Sequence, residues 1–248
     1  MRAPIHRRPL RPLAALSLAA GLALAWGCRA TPAASPPLAG PLPSGTSVEG
    51  RPIPYRVVGE GSRTVLLLAT IHGDEAAGTP LLEELLRRVD AEELPSSDVR
   101  LVVVPVANPD GRAANTRHNA HGVDLNRNFP ARSFDGSERH GPAPLSEPES
   151  AFLAELVRVF APERVLSFHQ PVGCIDYDGP AASLAHGLAA VSPLPVRRLG
   201  GRPGSLGSWI GRDLGRPIVT VELPRSDDRR APEELWRRYG ALLLEALR

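Results

Sequence analysis

Apolar, β-branched runs alternate with segments of helical period along this chain, and that alternation limits what it can fold into. Residues 53–58, 64–70, 99–106, 164–168 and 218–223 read as strands. Residues 76–89, 146–160, 181–191, 206–214 and 232–247 read as helices. In Leu81-Leu-Glu-Glu-Leu-Leu-Arg-Arg-Val89 the apolar positions recur at helical spacing, and Ser146-Glu-Pro-Glu149 offers a capping hydroxyl followed by acids in a first turn. The pattern predicts an α/β fold: a single domain with a mixed, mainly parallel sheet and helices on both faces. No internal repeat is present. Residues 107–145 are the exception, rich in Asn, Asp, Gly, Pro, Arg and His, and read as a long irregular segment. A loop of that length inside a compact domain is usually functional or disordered, and its motifs favour function.

Three of the strand-like runs end in residues that bind metals or move protons. The first delivers His72 and Glu75, three positions apart, to its C-terminal end. Open α/β sheets hold their ligands at that edge. A second run, Arg164-Val-Leu-Ser-Phe-His169, ends in a histidine, and a third, Pro217-Ile-Val-Thr-Val-Glu-Leu223, carries Glu222 at the equivalent place. Taken singly these are weak signals, because His-x-x-Glu arises by chance and a strand-end histidine is more often a hydrogen-bonded structural residue. Together they aim two histidines and two glutamates at one rim, and a catalytic zinc needs about three such ligands plus one open position.

The order His72-x-x-Glu75, then Asp124-Leu-Asn-Arg-Asn-Phe-Pro130, then His169, then Glu222 resembles the zinc carboxypeptidase family. The likeness runs from about residue 64 to about 224 and is strongest at His72-Gly-Asp-Glu75, Asn108-Pro-Asp-Gly111, Gly122-Val-Asp-Leu-Asn-Arg-Asn-Phe-Pro130 and Ser167-Phe-His169. Within the family, Asn115–Pro130 and Pro203-Gly-Ser-Leu-Gly-Ser-Trp209 are most similar to the bacterial murein peptide amidases, which cut between γ-D-glutamate and diaminopimelate in cell-wall peptides. The resemblance implies Zn2+ held by His72, Glu75 and His169, with Glu222 as the general base. It further implies that Arg117 stabilises the developing oxyanion and that Asn126 and Arg127 hold a substrate carboxylate, a task suited to the planar guanidinium fork. Asp124 and Asp110 are expected to fix their loops through backbone N–H groups.

One departure from the family stands out. Digestive members carry a mobile tyrosine between the last zinc ligand and the catalytic glutamate, but residues 200–216 contain none. Trp209 is the sole aromatic there, a candidate pocket wall whose indole N–H is no practical acid. Tyr177 comes too early for the role. Asp176 and Asp178 read either as binders of a substrate ammonium or as turn acids before Gly179-Pro180. Besides the amidase, two readings stay open: a general metallocarboxypeptidase trimming peptide C-termini, and a non-catalytic binding module on the same fold.

Upstream of the domain, residues 1–12 carry Arg2, Arg7, Arg8 and Arg11 with no acid, and residues 13–26 are apolar. These are the n- and h-regions of a secretory signal, so residues 1–28 read as a signal peptide and the protein as exported. Ala25-Trp-Gly-Cys28 resembles a lipobox, leaving two outcomes: a lipid anchor at Cys28 on a membrane-bound lipoprotein, or ordinary cleavage to a periplasmic protein. Residues 29–45, rich in Pro and Ala, read as a linker, and 46–248 as the catalytic domain. Two cysteines make no disulfide framework, with Cys28 in the signal and Cys174 alone. The net charge of +2 comes with no lysine at all, its arginines are spread along the chain, and no aromatics interleave with them, so nucleic acid is excluded as a partner.

Overall fold

The computed structural model describes residues 42–94 and 98–248. The expected signal peptide, Cys28 and most of the linker lie outside the described residues. The linker's end differs from expectation, because Gly45 already lies in a strand and the Pro43 carbonyl accepts the Tyr55 hydroxyl at 2.9 Å.

A short hairpin of β1 (Gly45–Thr46) and β2 (Pro52–Ile53) comes first. The main sheet holds β3 (Arg56–Val58), β4 (Arg63–Ala69), β5 (Val99–Val104), β6 (Arg164–His169), β7 (Cys174–Asp178) and β8 (Ile218–Glu222) in the order β3-β5-β4-β6-β8-β7. Its four central strands run parallel, and antiparallel β3 and β7 close the edges. That is the mixed, mainly parallel sheet the sequence predicts. The expected 53–58 strand is split in two, and β7 is an addition.

Both faces of the sheet are buried, as the unbroken apolar runs require. Along β4, Val65, Leu67 and Ala69 enter one core while Leu66 and Leu68 enter the other. The first core is covered by α1 (Gly78–Asp90), α4 (Ala182–Ala190) and α5 (Pro232–Ala246), through residues such as Leu81, Leu85, Ala185, Leu188, Tyr239 and Leu242. Tyr239 is fully buried, and its hydroxyl donates to Asp227 at 2.5 Å. Burial, helped by that carboxylate, pushes its pKa up to about 12. The second core is covered by α3 (Pro148–Phe160) and by a π-helical turn over Ser208–Asp213 that buries Ile210. Proline opens α3 and α5 at a position where a missing N–H costs nothing.

A six-residue helix, α2 (Pro109–Ala114), was not legible in the sequence, and it explains the Asn108-Pro-Asp-Gly111 motif. Asn108 caps it by accepting the Gly111 N–H at 2.9 Å and donates from Nδ2 to the Ile71 carbonyl at 3.3 Å. Gly73 lies against the Gly111 carbonyl so closely that any Cβ would collide with it. The motif therefore fastens the loop bearing His72 and Glu75 to the rest of the domain. Asp110 ties in the N-terminal hairpin, accepting Ser47 Oγ at 2.7 Å and the Glu49 N–H at 2.9 Å.

Candidate metal centre and its cavity

Parallel β4, β6 and β8 end at one edge, and the register sets His169 directly beside Glu222 and Ala69 beside Phe168. Just past β4 the backbone turns sharply at Thr70, which takes φ of 55°. A left-handed conformation is costly for a β-branched residue, of order ~1–3 kcal/mol. The Thr70 hydroxyl bonds Thr79 Oγ at 2.7 Å and helps to hold the turn. What it secures is the re-entry of His72 and Glu75 towards β6.

His72, Glu75 and His169 are all buried and converge, with one ligand atom from each lying within 4.8 Å of the others. The Nδ1 atoms of His72 and His169 are 3.2 Å apart, and each is 2.9 Å from Glu75 Oε2. Their outer nitrogens are engaged elsewhere: His72 Nε2 with Asp124 Oδ1 at 3.0 Å, and His169 Nε2 with Ser167 Oγ at 3.0 Å. An ionised Asp124 can only accept, so the proton of neutral His72 sits on Nε2 and its Nδ1 lone pair faces inward. Two imidazole nitrogens and a carboxylate oxygen facing one point repel unless a cation stands between them. That donor set, with one position left open, fits zinc. Absent a metal the same pocket attracts a proton: burial works against charge on His72, but Asp124 and Glu75 outweigh it and raise its pKa. Glu75 and Asp124 are held well below the usual carboxylate range by the histidines, against the opposing effect of burial.

Partners that the sequence did not single out complete this arrangement. The Gln170 N–H donates to Glu75 Oε2 at 3.1 Å, and Gln170 Oε1 accepts the Ala77 N–H at 3.0 Å. Ser167 stands two residues before His169 on the same strand face, a period-2 relation that could have marked it. Asp124 does more than fix its loop: besides the Asn126 N–H and His72, it accepts Arg117 Nε at 3.0 Å. Asp124→Asn keeps the shape and removes the charge, and is expected to weaken metal binding by roughly 10- to 100-fold. Competition against a chromogenic zinc chelator measures this, and unchanged affinity would confine Asp124 to loop support.

A cavity of about 290 Å³ opens beside the cluster, lined among others by Arg117, Asn126, Arg127, Asp176, Arg202 and Glu222. Arg117 is aimed by two carboxylates, with Nη1 on Glu75 Oε1 at 2.9 Å and Nε on Asp124. Asn126 Oδ1 accepts the Leu206 N–H at 2.9 Å, which fixes its amide at the cavity wall. Arg127 is only partly exposed, and burial lowers its pKa, with neighbouring Arg117 and Arg202 acting in the same direction against the pull of Asp124. Among the described residues, no carboxylate forms an ion pair with Arg127 or Arg202. Three guanidinium groups around one cavity, two of them unpaired, favour an anionic ligand. Glu222 receives only the Val172 N–H, at 3.4 Å, and burial pushes its carboxyl above the ordinary value, with His169 opposing and Glu75 adding. Trp209 is absent from the cavity wall and stacks on Phe129 instead, at 5.8 Å between ring centroids. Asp176 and Asp178 lie in β7, not in a turn. A larger concavity of about 570 Å³, lined by Val58, Val89, Leu101 and Leu244, holds no metal-binding cluster among the described residues.

Comparison with known proteins converges on one group. The model of a family described as zinc carboxypeptidase matches residues 28–175, which include His72, Glu75, Arg117, Asn126, Arg127 and His169 and stop short of Glu222. Murein peptide amidase A of Escherichia coli K12 is 36% identical over 209 residues, covering 77% of this chain and 84% of the relative. Gamma-D-glutamyl-L-diamino acid endopeptidase 1 of Lysinibacillus sphaericus is 26% identical over 236 residues, covering 73% of this chain and 59% of that protein. Among solved structures, the murein-tripeptide amidase of Escherichia coli O157 superposes with a TM-score of 0.67 at 32% identity, covering 83% of this chain and 91% of the other.

Proposed function

Because the chain belongs to the zinc carboxypeptidase family, we propose that it is a zinc-dependent amidase of murein peptides, cleaving an amide next to a free carboxylate, with γ-D-glutamyl-diaminopimelate as the bond. The observation that carries the reading is one cavity holding both a His72–Glu75–His169 cluster and an unpaired, partly buried Arg127. The amidase relatives, similar over most of the chain, supply the bond. Zinc held by the three ligands would polarise the scissile carbonyl and make attacking water more acidic.

The chain's own residues account for the remainder. Glu222, raised in pKa by burial, takes the proton from the attacking water and returns it to the leaving amine. Arg117, oriented by Glu75 and Asp124, meets the negative charge that develops on the carbonyl oxygen. Arg127 grips the carboxylate of the leaving residue, and Asn126 contributes a further polar contact. Export belongs to the same proposal and is supported by the basic and apolar segments before residue 28. The substrate would then be met in the wall or as fragments shed from it.

Three peptides test the reading: the γ-D-glutamyl-diaminopimelyl tripeptide, its carboxyl amide, and an α-linked peptide with an ordinary C-terminal residue. Amidation removes a charge-assisted partner from Arg127 and should lower kcat/KM by about 10- to 100-fold. Equal rates on the acid and the amide would sink the clamp. A preference for the α-linked peptide would make the protein a general metallocarboxypeptidase.

A further inference from the structure

We propose that Asp176 is a specificity-determining residue that accepts an ammonium group on the side chain of the leaving residue, so that the cavity selects a diamino acid. The assignment rests on the amidase reading and deepens it. In the antiparallel pairing of β7 with β8, Cys174 stands opposite Glu222 and Asp176 opposite Thr220. Glu222, Thr220, Asp176 and Asp178 all line the cavity. Asp176 therefore lies two residues down the strand from the level of Glu222, about 7 Å at the usual strand rise. In diaminopimelate four C–C bonds of ~1.5 Å separate the α-carbon from the carbon bearing the distal amine, ~5 Å when extended. A scissile amide beside Glu222 would thus bring the distal ammonium to the level of Asp176.

Of the two aspartates, Asp176 is the one with capacity to spare. Asp178 is engaged by Arg212 Nε at 3.2 Å, and its other oxygen lies against Gly207, where an added Cβ would come within 2.5 Å. Asp176 is 6% exposed and accepts the backbone N–H of Leu199 at 3.1 Å. Its nearest cation, Arg198 Nε, is 3.7 Å away, beyond hydrogen-bond range, half-exposed, and occupied with the Tyr177 ring at 4.1 Å. A carboxylate offers about four acceptor positions, so most of those on Asp176 remain unused in a site where burying charge is costly. The Thr220 hydroxyl opposite has no hydrogen-bond partner among the described residues. Arg117 and Arg127 thus line the cavity with Arg202 near enough to act on Arg127, while Asp176 and Asp178 line it from β7. A diamino acid held by its α-carboxylate at the clamp, with its distal ammonium beside β7, matches that division.

The test compares γ-D-glutamyl peptides of diaminopimelate and of aminopimelate, which lacks only the distal amine, using the zinc-loaded full chain. Wild type is expected to prefer the diaminopimelyl peptide by roughly 10- to 100-fold in kcat/KM, the range of a hydrogen bond between charged groups. In Asp176→Asn that preference should fall towards unity through loss on the diaminopimelyl peptide. Equal wild-type rates on the two peptides would overturn the assignment and leave the amidase reading standing. So would an undiminished preference in Asp176→Asn. The wild-type comparison needs no variant, so it holds even where Asp176→Asn fails to fold. No turnover of the diaminopimelyl peptide would overturn the amidase reading, and the Asp176 assignment with it.

Discussion

Glu222→Gln is expected to keep the fold and its full complement of zinc while losing roughly 10²- to 10⁴-fold in kcat, the range associated with a positioned general base. The amide matches the carboxylate in shape and can still accept the Val172 N–H that Glu222 receives at 3.4 Å. Glu222 makes no contact with the proposed metal ligands short enough to count as a hydrogen bond, so its replacement should leave them in place. What the variant cannot do is take a proton. Nothing else in the cavity is well placed to stand in. No tyrosine lines it, since Tyr177 points to the opposite face of β7 and packs with the α4–α5 core, and Asp176 lies a further two residues down the strand. The loss should therefore fall on kcat with little change in KM, because the proposed clamp of Arg127 and Asn126 is untouched. Zinc analysis and a thermal melt establish that the variant is intact, and steady-state kinetics on the γ-linked tripeptide reads the effect. Near-wild-type turnover in a zinc-loaded protein would assign the proton to another group.

Legibility in the sequence followed how the physics is distributed along the chain. The central strands were plain because both their faces are buried, which forces near-continuous apolar runs such as Val65–Ala69. Strand-end positions then carried His72, His169 and Glu222 to one edge with no long-range information beyond the parallel arrangement. β7 is hard to read in the sequence because its cavity face carries Asp176 and Asp178, so Cys-Ile-Asp-Tyr-Asp resembles the approach to a turn more than a strand. α2 is too short, and too interrupted by Gly111, to show a helical period. The segment expected to be an α-helix at 206–214 winds instead as a π-helix, which seats Ile210 in the core and sets Gly211 against the Asp178–Gly179 backbone. Trp209, the only aromatic in its segment, reads as a pocket wall, but Phe129, distant in sequence, stacks on it instead. Ser167 stands in the Ser167-Phe-His169 motif without its bond to His169 being legible, and Gln170 belongs to no motif, its role emerging only once the loop bearing Glu75 folds back over β6.

His169→Ala and His72→Ala are each expected to abolish stoichiometric zinc binding, and activity with it. Each removes one of two nitrogen donors from a site that has one carboxylate to complement them. If metal binding of about 10–16 kcal/mol is shared among three or four ligands, each contributes ~2.5–5 kcal/mol, roughly 70-fold or more in affinity. The two variants differ in what they leave behind. Without His169, Ser167 loses its partner, but Glu75 keeps the Gln170 N–H and Arg117. Without His72, Asp124 loses the imidazole that helps to hold its carboxyl low, yet retains Arg117 and the Asn126 N–H. Neither change opens the sheet, so both proteins should fold, and stability supplies a readout independent of turnover. A ligand that binds only the native state stabilises it by RT ln(1 + [L]/Kd), about 4 kcal/mol at a thousandfold excess over Kd. Chelating zinc from the wild type should therefore lower its Tm by several degrees, whereas the same chelator should leave His169→Ala unmoved. A variant that retains one zinc per chain after dialysis, or a Tm equally sensitive to chelation in wild type and variant, would remove these histidines from the ligand set.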